Sequence, residues 1–130
     1  MNTINRMMTN ICSDNLAESS EFYTNLFDFH VDYDSDWFVH LISKDKQLEL
    51  GIIKRSSEMV PDGYQNNPQG FYVTFVVENA DTVFERAKEE GFEVISEPAD
   101  TFYGQKRLLL KDPNGTLVDV SSPIPNFDYK

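Results

Sequence analysis

The chain has 130 residues and carries 11 basic against 22 acidic side chains, a formal charge of −11. That length suits one ordinary domain, and the acidic balance excludes a nucleic-acid binder or an anionic-membrane binder, both of which need Lys and Arg. The same charge serves solubility, or it concentrates a cationic ligand in a cleft. Cys12 is the single cysteine. It excludes an internal disulfide and a Cys-rich metal site, and a reducing, cytoplasmic setting is expected. No apolar run has the length of a signal peptide or a membrane span, so no membrane association is expected.

Along the chain, a short loose tail leads into a strand-like run at residues 7–12. Leu16, Phe22, Tyr23, Leu26 and Phe27 then recur at helical spacing. Asn15 is placed to cap that helix, and Glu18 three residues later completes a capping-box pattern. Three strand-like runs follow at residues 30–35, 37–43 and 47–53, with Lys44-Asp45-Lys46 as a tight turn. Residues 56–69 hold Pro61, Gly63, Asn66, Asn67 and Pro68 and read as a linker. The pattern then repeats. Residues 71–77 are strand-like, and Ala80, Val83, Phe84 and Ala87 share a helical face between a cap at Asn79 and a stop at Gly91. Runs at 93–97, 106–111 and 116–121 follow, the last two joined by Asp112-Pro113-Asn114-Gly115.

The halves superimpose. An offset of 64 maps Met8 onto Tyr72, Asn15 onto Asn79 and Phe27 onto Gly91. An offset of 70 then maps Glu49 onto Asp119, which places about six extra residues in the second half, near positions 99–103. The reading is an α+β fold of two βαβββ modules forming a curved mixed sheet with a central cleft. One domain spans 1–130, with module one at about 6–55, a linker at about 56–69 and module two at about 70–123.

Asn15-Leu16-x-x-Ser19-x-x-Phe22-Tyr23 with Leu26-Phe27, together with Asp112-Pro113-Asn114-Gly115-x-Leu117-Val118-Asp119-Val120, resembles the vicinal oxygen chelate superfamily, the glyoxalase, bleomycin-resistance and extradiol-dioxygenase group. The resemblance covers about residues 7–122. It implies two cupped modules with a ligand or metal between them, paired within one chain or by exchange across a homodimer. It also implies four inward positions, here Met8, Glu49, Tyr72 and Asp119. The metal-dependent members usually have His and Glu there. A thioether and a neutral phenol are poor ligands for divalent ions, so no metal is expected. A divalent metal held by Glu49, Asp119 and a residue such as His40 is the alternative.

Alternation directs Glu49, Tyr72 and Asp119 to one side of their strands. Arg107, beside the core-facing Leu108 and Leu110, points the same way and is placed to neutralise either carboxylate. Asn10, Trp37 and Tyr103 complete the candidate ligand-binding set, the aromatics as flat walls for an aromatic cation. His40 reads as a packing or hydrogen-bonding residue, and His30 as exposed. The leading expectation is a metal-free protein that sequesters a small, cationic, aromatic molecule, similar to the bleomycin-resistance members. A metal-dependent enzyme of the glyoxalase or dioxygenase type stands second. An enzyme using Glu49 or Asp119 as base, and a purely structural protein, remain open.

Overall fold

In the computed structural model, which describes residues 1–128, the elements run β1 (Thr9–Ser13), α1 (Leu16–Leu26), β2 (Phe29–Asp34), β3 (Phe38–Ser43), β4 (Glu49–Lys54), β5 (Tyr72–Val76), α2 (Ala80–Glu90), β6 (Glu93–Asp100), β7 (Gln105–Lys111) and β8 (Leu117–Pro123). The order is βαβββ twice, and the fold is α+β. The chain divides into two compact units, Met1–Pro68 and Gln69–Lys130.

In the first unit the sheet order is β1-β4-β3-β2, with β1 parallel to β4 and the other pairs antiparallel. Strand alternation sends Ile11, Val39, Leu41, Leu50 and Ile52 to one face, all buried with Phe22, Tyr23 and Leu26 of α1. Each such side chain contributes about 1.5–3 kcal/mol by leaving water. The Phe22 and Tyr23 rings meet edge to face at 4.9 Å. Asn15 caps α1 by accepting from Glu18 N–H at 3.0 Å. The other half of the capping arrangement comes from Ser13, whose Oγ accepts from Asn15 N–H at 3.0 Å and contacts Ser19 Oγ at 2.7 Å. Residues 56–68 belong to this unit: Val60 is buried, Cys12 Sγ donates to Tyr64 O, and Arg55 donates to Gln65 O.

The second unit repeats the plan as β5-β8-β7-β6. Its core is Leu108, Leu110, Val118 and Val120 against Ala80, Val83 and Ala87 of α2. Asn79 accepts from Asp81 N–H, Ser122 Oγ accepts from Ala80 N–H, and Gly91 closes the helix at φ 75° in the left-handed region. Asp112 Oδ1 accepts from both Asn114 and Thr116 N–H at 2.8 Å and builds the turn before β8.

The strand registers refine the internal repeat. Val31 pairs with Leu41, ten positions on, whereas Val94 pairs with Leu110, sixteen positions on. The six extra residues therefore lie in β6, which bears two register irregularities, and in its turn. The equivalence of Glu49 with Asp119 does not hold. Thr9 pairs with Leu50 and its counterpart Val73 with Val118, so Glu49 corresponds to Leu117 and Asp119 to Gly51. Spacing from a turn cannot reveal this, because the register is set by pairing with a strand far off in sequence.

Candidate functional site

The face of each sheet opposite its helix carries the polar groups. In the first unit, Asn10, Gly51 and His40 lie in one row across β1, β4 and β3, with Glu49 next along the same face of β4. Glu49 is largely buried and is held from two sides. Arg6 Nε reaches both carboxylate oxygens at 2.8 Å, and a second guanidinium nitrogen donates to Oε1. His40 Nε2 lies 2.8 Å from Oε1. The opposite ring nitrogen, Nδ1, is 3.2 Å from Asp32 Oδ2. A break in the β2–β3 register between Val31 and Tyr33 makes Asp32 the unpaired residue of the bulge, which aims its side chain at His40. The Arg6 hydrogen bonds, and behind them the His40 bond and both charges, hold the Glu49 carboxyl at about 2, well below its ordinary 4.5.

In the second unit, Thr74, Asp119 and Leu109 form a row across β5, β8 and β7, with Ser121 next on β8. Asp119 is buried. Its Oδ2 accepts from Thr74 Oγ1 at 3.0 Å and its Oδ1 from Ser121 Oγ at 2.8 Å. Arg107 Nε stands 3.4 Å from Oδ1, within ion-pair reach but without hydrogen-bond alignment, and its guanidinium carbon lies 5.8 Å from the centre of the Tyr72 ring.

The candidate residues thus separate by unit. Met8, half-buried, Asn10 and Glu49 belong to the first, and Tyr72, Arg107 and Asp119 to the open face of the second. Of the two carboxylates open to Arg107, its partner is Asp119. Trp37 precedes β3, tilted against Phe38 at 5.4 Å, and it is Phe38 whose ring meets Gly51 beside Asn10. Tyr103 sits in the β6–β7 turn, edge-on to Phe102 at 5.3 Å. His30 is exposed. Arg6 and Asp32 escaped the sequence reading. Arg6 lies in a tail 43 residues from Glu49, and only its basic charge in an acidic chain could have signalled it. A groove of about 470 Å³ beside the start of α1, lined by Asp14, Asp34, Asp36 and Lys54, includes none of these residues.

The donors do not fit a divalent metal. Each carboxylate already faces its own arginine, and a guanidinium occupies the near side of Glu49 where a cation would approach. Among the described residues, no three His, Cys, Asp or Glu side chains converge in a metal-holding group. Among the described residues, no helix is long and apolar enough to cross a membrane.

Residues 3–120 match the Glyoxalase/Bleomycin resistance protein/Dioxygenase superfamily. Among curated proteins, none matches the sequence significantly. Solved structures share the fold. The hypothetical protein SA1046 from S. aureus is 20% identical with a TM-score of 0.77, covering 93% of this chain and 95% of its own. A glyoxalase/bleomycin resistance protein/dioxygenase family enzyme from Burkholderia phytofirmans PsJN is also 20% identical at 0.77, covering 90% and 97%. The fosfomycin resistance protein FosX from Listeria monocytogenes is 15% identical at 0.72, covering 95% and 96%.

Proposed function

The chain belongs to the Glyoxalase/Bleomycin resistance protein/Dioxygenase superfamily, and from that premise we propose that it binds a small, cationic, aromatic molecule on the open faces of its sheets, without a metal ion. One observation carries this reading. Glu49 on the first open face seats one edge of a planar guanidinium across both its oxygens, a single-carboxylate acceptor suited to a planar cation that takes the place of Arg6 rather than to a metal ion that needs several ligands. The second face adds the half-exposed Tyr72 ring as a flat surface for an aromatic ligand, with the Arg107 guanidinium carbon 5.8 Å from its centre. The charge of −11 raises the local concentration of such ligands. We further propose that the protein works in the cytoplasm, where Cys12 stays a thiol, and as a homodimer, a state that light scattering on a sizing column tests directly. FosX is named a fosfomycin resistance protein, and its likeness to this chain is one of fold.

Two measurements test the reading. Protein is incubated with zinc, nickel, manganese or iron(II), dialysed, and assayed for metal, with Glu49→Ala alongside. It is then titrated with proflavine, a flat aromatic cation, by fluorescence. Proflavine binding weakened about tenfold in Tyr72→Ala, with no retained metal, is the expected result. Stoichiometric metal that Glu49→Ala loses would overturn it. A second reading, an enzyme using His40 for proton transfer, is favoured by the position of the ring between Asp32 and Glu49. Turnover of a bound compound that His40→Asn abolishes while binding persists would select it.

A further inference from the structure

We propose that Arg6 is an internal stand-in for the ligand's charged group. The N-terminal arm seats its guanidinium in a subsite made by Glu49, His40 and Asp32, and a free guanidinium or amidinium competes for that place. The inference rests on the small-molecule reading above and names the chemical class the first open face takes.

Three observations support it. First, the arm has little else to hold it. Residues 1–7 are exposed and outside every strand, and the Arg6 side chain is 60% exposed. Its hydrogen bonds go to Glu49, with a 3.4 Å approach to His40. Second, the acceptor is built into the sheet whereas the donor is not. Glu49 and His40 sit on β4 and β3, with side chains 14% and 13% exposed, and the bulge fixes Asp32 behind the imidazole. Lifting the arm leaves a largely buried carboxylate with His40 as its remaining donor, a site that demands a cation. The guanidinium edge formed by Nε and a second nitrogen, which together meet both Glu49 oxygens, suits a planar guanidinium better than a point-charge ammonium. Third, the subsite has an aromatic neighbour. Gly51, two residues beyond Glu49 on the same face, lets the Phe38 ring come so close that a Cβ there would lie 2.8 Å from its Cε1. An amidinium or guanidinium joined to a flat apolar body matches that anionic end and aromatic wall.

The arm is therefore a tethered competitor. A side chain on a short flexible arm has an effective concentration of order millimolar. If it is seated about nine-tenths of the time, it masks the affinity for a free ligand about tenfold.

The test uses methylguanidinium as probe, with methylammonium as control, in calorimetric titrations of the wild type, R6A and R6A/E49Q. Arg6 packs into no core, so R6A keeps its fold, and unchanged near-ultraviolet circular dichroism from Trp37 confirms this. The expected result is about tenfold tighter methylguanidinium binding by R6A than by the wild type, loss of that binding in R6A/E49Q, and weaker methylammonium binding throughout. Equal affinity in the wild type and R6A overturns the proposal, as does binding that survives in R6A/E49Q. The two readings fail separately. Tight methylguanidinium but no proflavine binding by R6A removes the aromatic-ligand reading and leaves the arm's role standing. Proflavine binding alongside methylguanidinium affinity indifferent to R6A removes this inference alone.

Discussion

Replacing Asp119 by Ala removes the acceptor of two hydroxyls and the counter-charge of Arg107, three groups of unequal exposure, and the exposures set the expected cost. Ser121 is 3% exposed, so its hydroxyl is left buried without its 2.8 Å acceptor, at about 1–3 kcal/mol. Thr74 is exposed and turns its hydroxyl to water at little cost. Arg107 loses its counter-charge. Its side chain is 31% exposed, which places the loss between an exposed pair, at about 0–1 kcal/mol, and a buried one, at about 3–5 kcal/mol. About 1 kcal/mol is the reasonable share, because the approach is 3.4 Å and unaligned. The sum is about 2–4 kcal/mol, which for a chain of this size lowers Tm by about 8–16 °C. Asp119→Asn keeps the shape and the Oδ1 acceptor, so it costs about 1 kcal/mol. Urea unfolding at pH 7 of the wild type, both variants, Arg107→Met and Asp119→Ala/Arg107→Met measures this, the completed cycle isolating the pair. Asp119→Ala within 0.5 kcal/mol of the wild type, or Asn as damaging as Ala, would refute the reasoning.

Glu49 makes a pH prediction. Its folded pKa lies below its unfolded value, so the stability it contributes is complete above about 4.5 and is lost as pH falls through about 2. The gap in Tm between the wild type and Glu49→Gln should close as pH falls from 4.5 to 2; a gap unchanged at pH 2.5 would contradict the Arg6 pairing. Gly51→Ala sets two effects against each other. The smaller unfolded-state entropy of Ala favours the variant by about 0.5–1 kcal/mol, while its Cβ overlaps Asn10 Oδ1 and crowds the Phe38 ring, an overpacking that costs about 1–3 kcal/mol. Asn10 is exposed and can swing away, but Phe38 is half-buried, so a net loss of about 1–2 kcal/mol in urea unfolding is expected, partly restored by Phe38→Leu. Asn15→Ala removes the cap to Glu18 N–H and should cost about 1 kcal/mol by the same assay.

Much of this was legible in the sequence, because local physics writes it there. Apolar spacing and the caps at Asn15, Asn79 and Gly91 give both helices, and alternation puts Glu49, Tyr72 and Asp119 opposite the core. The Arg107–Asp119 pair was reachable because β7 and β8 are joined by a turn whose chemistry is visible in Asp112-Pro113-Asn114-Gly115. Tertiary structure alone decided three things. The parallel pairings of β1 with β4 and of β5 with β8 join strands about 40 residues apart, and they shift Glu49 out of register with Asp119. The bulge at Asp32 has no composition signal, yet it turns a surface carboxylate into a partner of His40. The seat of Arg6 depends on where a tail without periodicity comes to rest, and an ion pair across 43 residues leaves no trace in local pattern, since only the folded sheet brings the two charges together.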